Sequence, residues 1–313
     1  MEITLALDRT PNTYHSGFYV AQAQGIYERL GLKVQLLPPD WDEGGLSPLM
    51  QVARGQATVG ICTSEALIAC HATPEGPRLA ALATLTQHNS SAVVTRKESG
   101  YTCPAQLDGR TYAALGTPLE CDIVSHMIRH DGGRGDFNTL SANPLDVPRI
   151  LLRGEADAAW LFMGWDGMRA EREGIELNVF PPEDYGVPYG YAQVLVAQLD
   201  TLRRQSDPMC AFVQGSALGF EYAAHNPLDA ARLLIETAQH PGLADHAFVS
   251  ASQQRVSKDY LTREGRWGVM TSAHWASYWD WICQQHLLKN SFGDDVSRNS
   301  TDISRMFTNQ FLL

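Results

Sequence analysis

The stretch Leu7-Asp8-Arg9-Thr10-Pro11-Asn12-Thr13-Tyr14-His15-Ser16-Gly17-Phe18-Tyr19 decides how the rest of the chain reads. A short apolar strand over 3–7 runs into it. A helix over 17–30, with Phe18, Ala21, Ala23, Ile26 and Leu30 on its apolar face, runs out of it. Between the two stand more polar and aromatic side chains than a plain connection needs. In an open α/β sheet, ligands collect at the carboxyl ends of strands, near helix N-termini. The stretch occupies such a place. The competing reading is a polar strand-to-helix turn with a helix cap.

Outward from there, strand and helix alternate. Gly31 ends the first helix as its C′ residue. A strand over 32–37, an acidic glycine-rich loop over 40–45, a helix over 46–54 closed by Gly55, and a strand over 58–61 follow. Ser64 reads as the cap of a helix over 65–70, and 79–86 and 92–95 read as further strands. Such alternation predicts a largely parallel sheet with helices on both faces. A comparable unit then recurs: a strand over 108–114, a helix opened by 116–120 and running to about His130, a helix over 148–153, and a strand over 156–162. The run Ala53-Arg54-Gly55-Gln56-Ala57-Thr58-Val59-Gly60 is echoed by Leu152-Arg153-Gly154-Glu155-Ala156-Asp157-Ala158-Ala159. Each reads as helix end, Arg-Gly, polar residue, Ala, strand, which predicts two related α/β lobes.

The strand over 193–197 resembles that over 92–95 as a crossing between lobes. The expected organisation is therefore lobe 1 from 1–95 plus 196–313, with lobe 2 inserted at 96–195. Two extended crossings make a hinge, and the cleft between two lobes is a default ligand site. The remainder of lobe 1 reads as helices over 207–225, 227–239, 242–252 and 272–288. Pro227 is a good first residue for its helix. Trp275, Tyr278, Trp279, Trp281 and Ile282 read as a packed helix face rather than a ligand platform.

Composition narrows the function. With 44% hydrophobic and 19% charged residues the chain is globular, and 313 residues suffice for about two domains. A net charge of −11 argues against a nucleic-acid partner, which needs clustered Lys and Arg. No apolar run approaches the roughly 20 residues of a membrane helix, so no membrane insertion is expected. The six cysteines form no CxxC pair and no zinc-finger spacing, so no metal is expected and a reducing, cytoplasmic location is favoured. A removed signal segment would instead imply a periplasmic or other extracytoplasmic location. Neither a GxSxG elbow nor a Walker loop is present.

The opening motif Leu7-Asp8, Thr10-Pro11, Tyr14-His15, Gly17-Phe18-Tyr19-Val20-Ala21-Gln22-Ala23-Gln24-Gly25-Ile26-Tyr27 and Gly31-Leu32 resembles the THI5/NMT1-like family. Arg54-Gly55-Gln56-Ala57 and Gly154-Glu155-Ala156-Asp157-Ala158 share that resemblance. It implies an α/β, two-lobed fold of the type II periplasmic-binding-protein kind. It also implies either a binding protein for thiamine-pyrimidine precursors, serving an ABC importer if exported, or a pyridoxal-phosphate-linked synthase of hydroxymethylpyrimidine phosphate. The synthase branch uses a Lys and, four residues on, a His, after the strand that here ends at Ile61. The matching positions are Cys62 and Ala66, and the region matching its cysteine-rich run, Gly186-Val187-Pro188-Tyr189-Gly190-Tyr191, has no Cys. A thiol forms no internal aldimine and a methyl group carries no imidazole. The expectation is a binding protein without a cofactor; pyridoxal phosphate enters only under the synthase alternative. Many members carry Trp where Arg9 stands, and Arg9 suits an anionic group instead.

An amino-pyrimidine offers ring acceptors and an amine donor, so carboxylate, amide and phenol partners suit it. Asp8, Asn12, Tyr14 and His15 are the candidates in the opening loop. Ser64 and Glu65 follow a strand at a helix start, where Glu65 also suits the helix dipole. Gly116, Thr117 and Glu120 form the equivalent turn of lobe 2: free N–H groups there bind anions, and a capping box is the competing account. Trp160 and Trp165 are candidates to stack on a planar heterocycle, with Phe162 between them reading as core. Glu183, Tyr185 and Tyr189 complete the expected set.

Overall fold

The computed structural model describes residues 1–39, 45–72, 76–289, 293–300 and 302–312. The loop expected at 40–45 therefore lies outside the described residues, apart from Gly45. Among the described residues ten strands are formed: β1 (Glu2–Ala6), β2 (Lys33–Leu37), β3 (Val59–Cys62), β4 (Leu79–Thr84), β5 (Ser91–Arg96), β6 (Thr111–Ala114), β7 (Asn138–Ser141), β8 (Ala158–Phe162), β9 (Leu177–Phe180) and β10 (Val194–Gln198). They make two five-stranded sheets, ordered β2-β1-β3-β10-β4 and β7-β6-β8-β5-β9. The largely parallel arrangement expected holds for four strands of each sheet, and one reversed strand is inserted in each. β10 runs antiparallel to β3 and β4, and β5 antiparallel to β8 and β9. Both strands are nearly continuous apolar runs, Val194 to Ala197 and Ala92 to Val94, and every one of those residues is buried. Such runs belong inside a sheet covered on both faces, and β5 and β10 each have a neighbour on either edge.

By its contacts the chain divides into two compact units. One holds Met1–Asn89, Tyr191–Ala276 and Asn299–Leu313; the other holds Ser90–Gly190 and Ser277–Arg298. The division expected at 95/96 thus falls six residues earlier, because β5 pairs with β8 and β9 rather than with the first sheet. The chain passes between units four times, not twice, since 277–298 belong with the second unit.

Among the described residues twelve α-helices accompany the sheets: α1 (Ser16–Ala23), α2 (Ile26–Arg29), α3 (Pro48–Ala53), α4 (Ser64–His71), α5 (Glu120–His130), α6 (Val147–Leu152), α7 (Met168–Arg172), α8 (Leu199–Arg204), α9 (Ser206–His225), α10 (Pro227–Ala238), α11 (His246–Val256) and α12 (Ser272–Gln284). The single helix expected over 17–30 is broken into α1 and α2 at Gly25, whose φ of 63° is left-handed. The echoed Arg-Gly pairs do the same work twice. Gly55 after α3 and Gly154 after α6 have φ of 71° and 74° and release the chain into β3 and β8. Each of those strands occupies the same place in its sheet, third in the order, so the echo marks a repeated topology. The aromatic run of α12 is buried at Trp275, Tyr278, Trp279, Trp281 and Ile282, the packed face expected.

In the first unit the core is organised by α1 crossing α9. Phe18, Phe220 and Trp267 interlock there, the first pair edge-on at 4.9 Å and the second stacked at 4.5 Å. The crossing is close enough that a Cβ on Gly219 would lie 2.0 Å from the Gly17 carbonyl oxygen. Backbone on both sides leaves nothing to yield. In the second unit Ala92, Val94, Val147, Leu151, Ala159 and Leu161 form the core between sheet and helix. Among the described residues no helix is long and apolar enough to cross a membrane. We predict that Gly219→Ala lowers unfolding stability by about 3 kcal/mol, seen as a lower urea midpoint with unchanged slope.

Candidate functional site

Sheet order decides which candidate residues share an edge. In the first unit, Asp8 follows β1 and Ser64 and Glu65 follow β3. Gln193 precedes β10, which enters the sheet opposite the end of β3, with Val194 facing Cys62. All four therefore collect along the carboxyl edge of the parallel strands. Asp8 is the centre. Its Oδ1 lies 2.9 Å from His15 Nε2 and its Oδ2 accepts a 2.6 Å hydrogen bond from the Gln193 amide. Burial alone would push this carboxyl up. The His15 hydrogen bond, the attraction of His15 and Arg9, and the Gln193 amide outweigh it, and Asp8 titrates below its ordinary value. An ionised Asp8 accepts only, so His15 Nε2 carries the shared proton. His15 Nδ1 is buried without a hydrogen-bond partner.

The loop between Asp8 and α1 is clamped from behind. Thr13 Oγ1 meets Ser252 Oγ at 2.7 Å, Ser16 Oγ donates to Gln253 Oε1 at 2.5 Å, and the Gln253 amide donates to Tyr260 at 3.1 Å. The Tyr260 hydroxyl in turn donates to the Thr13 carbonyl. Asn12 serves the loop itself: its Oδ1 caps Tyr14 N–H and its amide reaches the Thr10 carbonyl, both at 2.9 Å. Tyr14 and His15 are buried at the turn that Asn12 starts.

At the end of β3 the cap is Thr63, not Ser64: Thr63 Oγ1 accepts from Ala66 N–H, and Ser64 is the first residue of α4. Relieved of capping, the Ser64 hydroxyl is buried with no hydrogen-bond partner. Glu65, in the first turn, is 3% exposed. Cys62 stands beside them, and burial, then Cys70, Glu65 and Asp8, push its thiol well above its ordinary value. It is a neutral thiol, without nucleophilic character.

In the second unit, 115–117 follow β6, 163–167 follow β8, and 182–185 follow β9, again at one carboxyl edge. The free N–H groups expected at Gly116 and Thr117 are corrected here. The buried Glu120 carboxylate accepts from Leu115 N–H at 2.9 Å, Thr117 N–H at 3.2 Å and the Tyr112 hydroxyl at 2.8 Å. The helix begins at Glu120 itself, and the chain's own carboxylate occupies the anion cradle. Burial is the largest influence on Glu120 and lifts its titration despite those donors.

Trp160 donates its Nε1–H to Ser91 Oγ at 2.9 Å and meets the Tyr189 ring at 5.2 Å, and Tyr189 meets Tyr278 at 5.4 Å. Trp165 lies in a single π-helical turn, Met163–Gly167, with the Arg169 guanidinium 5.6 Å over its ring. Phe162 is buried, as expected. Tyr185 packs edge-on against Phe180 at 6.3 Å. Glu183 is exposed and borders a hollow of about 460 Å3 with Val187, Pro188, Asp280 and Trp281. A hollow of about 840 Å3 in the first unit, lined by His71, Arg78, Arg203 and Arg305, opens at the other end of β4 and contains none of the candidate residues. Among the described residues, no group of three or more His, Cys, Asp or Glu could hold a metal ion.

Gln193 and Thr63 escaped sequence reading. Gln193 was legible as the one polar residue heading an apolar strand, and Thr63 as a second capping residue one place before Ser64.

The protein family described as NMT1/THI5 like matches residues 12–230. A formylaminopyrimidine-binding protein of Halalkalibacterium halodurans is 24% identical over 234 residues, 74% of this chain and 69% of that protein. Among solved structures, the alkanesulfonate-binding protein SsuA of Xanthomonas axonopodis pv. citri, bound to MOPS, superposes with a TM-score of 0.69 at 12% identity over 98% of each chain. A Candida albicans protein described as having the generic periplasmic-binding-protein fold superposes at 0.66 and 15% identity, over 100% of this chain and 98% of its own. The chain thus has the periplasmic-binding-protein fold.

The depressed titration of Asp8 has a pH consequence. Its contribution to stability is complete above the unfolded value of about 3.9 and fades as pH falls through the lower folded value. We predict that Asp8→Asn lowers the urea midpoint at pH 6 and that the deficit shrinks below pH 4.

Proposed function

This chain belongs to the NMT1/THI5-like family, and on that premise we propose that its small-molecule ligand is a planar heterocycle of the thiamine-pyrimidine kind. The observation that carries this reading is the sign of the charge at the first unit's carboxyl edge. Asp8 is held ionised there, and the buried Glu65 stands at the same edge. An ionised Asp8 favours a ligand that brings N–H donors and disfavours a sulfonate or phosphate. In the second unit the backbone N–H groups that would have welcomed an anion are spent on Glu120. The formylaminopyrimidine-binding relative supports the same class of ligand. The aromatic faces of Trp160, Trp165 and Tyr189 suit a flat ring, and Tyr14 lies beside His15 in the opening loop.

The residues do not fit pyridoxal phosphate at the synthase position. Cys62 is a buried neutral thiol and Ala66 contributes only its backbone N–H to the cap of α4. The chain has four lysines, Lys33, Lys97, Lys258 and Lys289, and all four are exposed. An imine needs an amine at the site, and these side chains offer none at that edge.

The test is a thermal-shift comparison on freshly purified protein. Formylaminopyrimidine and hydroxymethylpyrimidine are expected to raise Tm, with about 2.7 kcal/mol of added stability at a hundredfold excess over Kd, while MOPS leaves it unchanged. A rise with MOPS and none with either pyrimidine overturns the assignment.

A further inference from the structure

Beside His15 Nδ1, two further buried polar groups of the first unit have no hydrogen-bond partner: Ser64 Oγ and Trp275 Nε1. The residues are 0% and 1% exposed, so bulk water does not satisfy them either. A buried donor left unmade costs about 1–3 kcal/mol, which a fold does not carry without reason. Three other tryptophans of this chain show the ordinary solution, while Trp281 Nε1 shares the lack of a partner. Trp160 donates to Ser91 Oγ, Trp267 to the Leu85 carbonyl and Trp279 to the Arg298 carbonyl.

Tyr191 links the two orphaned groups. Its carbonyl accepts from Ser64 N–H at 3.0 Å, and its ring centroid lies 5.7 Å from that of Trp275. Its hydroxyl accepts from Thr271 N–H at 2.9 Å, which fixes the residues leading into α12. Tyr191 is two residues before Gln193, the donor to Asp8, so the pair stands at the same edge as the carboxylates. The Trp275 ring is immobilised from the other side by Phe307, stacked at 5.8 Å and 9°. A rigid indole with an unused N–H on the ring side of Tyr191, and an unused hydroxyl on its backbone side, are preorganised donors.

We propose that Trp275 Nε1–H and Ser64 Oγ–H are ligand-binding donors that engage the acceptor edge of the bound molecule. This rests on the reading of the first unit's edge as a ligand site. It adds the complementary half: carboxylates for the ligand's N–H groups, and this pair for its lone pairs. An amino-pyrimidine carries both kinds of group side by side, a ring nitrogen next to an amine.

The experiment uses the full chain, Trp275→Phe and Ser64→Ala, with formylaminopyrimidine and MOPS as probes. Binding is read by calorimetry, the ligand-free Tm by scanning fluorimetry, and the indole N–H by 15N-edited spectra, assigned by its loss in Trp275→Phe. Phenylalanine keeps a six-membered ring against Phe307 and Tyr191 but removes the fused pyrrole volume together with the donor, so Ser64→Ala is the arm that removes little besides the donor. The expected result is about a tenfold weaker Kd for each variant. The ligand-free Tm of Ser64→Ala stays equal or rises, because an unpaired buried group has been removed, while Trp275→Phe lowers it only by the volume lost. The Trp275 indole proton shifts when the probe is added to the wild type. If MOPS rather than the pyrimidine binds and shows these losses, the donor pair stands and the heterocycle assignment falls. If the pyrimidine binds the wild type and both variants equally, the donor pair falls and the heterocycle assignment stands. Binding of neither probe overturns both. A lower ligand-free Tm with unchanged Kd assigns the two groups a structural role and overturns the proposal.

Discussion

The first unit depends on one carboxylate. Asp8 reaches His15 seven residues ahead and Gln193 185 residues ahead, and through them it ties the end of β1 to the start of α1 and to the start of β10. Taking a carboxylate largely out of water is costly, and the site is stable only because the charge is met by donors on two sides. The geometry of the opening loop follows. His15 is held by Asp8 in front, while Thr13 and Ser16 are held by Ser252, Gln253 and Tyr260 behind. A loop with this many directed bonds is fixed in advance, so little ordering entropy would oppose association at it.

The two carboxyl edges solve opposite problems with the same residue type. At the first, Asp8 is accessible enough, at 18% side-chain exposure, to act on a visitor. At the second, Glu120 is turned inward and consumes the donors of its own turn. Carboxylate identity therefore says little about role; the number of internal donors already spent on each oxygen says more. The second edge is left with aromatic faces, Trp160, Trp165 and Tyr189, as its principal offering. Chemistry follows from the same logic. A thiol that is buried and surrounded by Cys70, Glu65 and Asp8 cannot shed its proton near neutrality, so Cys62 offers no nucleophile.

Much of this was legible from the chain. The opening loop, the alternation of strand and helix, and the Arg-Gly echo at Gly55 and Gly154 identify the fold class and its repetition, because left-handed glycines after helices are local requirements that a sequence must spell out. What was not legible is non-local. Nothing in the run over 92–95 says which sheet will receive it, since an apolar strand fits any covered interior. Ser64 and Thr63 are both competent caps, and which one serves depends on where β3 stops. Asn12 and Glu120 read equally well as ligand contacts or as braces until their partners are known. Burial reads easily at Trp275; an unanswered N–H does not, because it is a property of neighbours far along the chain.

The shared strand order has a consequence for how the protein is made. β10 sits between β3 and β4, so until residue 198 has left the ribosome the first sheet exists only as β2-β1-β3 with β4 unattached. The whole of 90–190 is synthesised in the interval and brings all five strands of its own sheet in one continuous segment. The order of synthesis thus favours an inner unit that assembles first and an outer one that waits with two unpaired strand edges. Pairings across such long separations are slow to form, and exposed edges invite association with other chains.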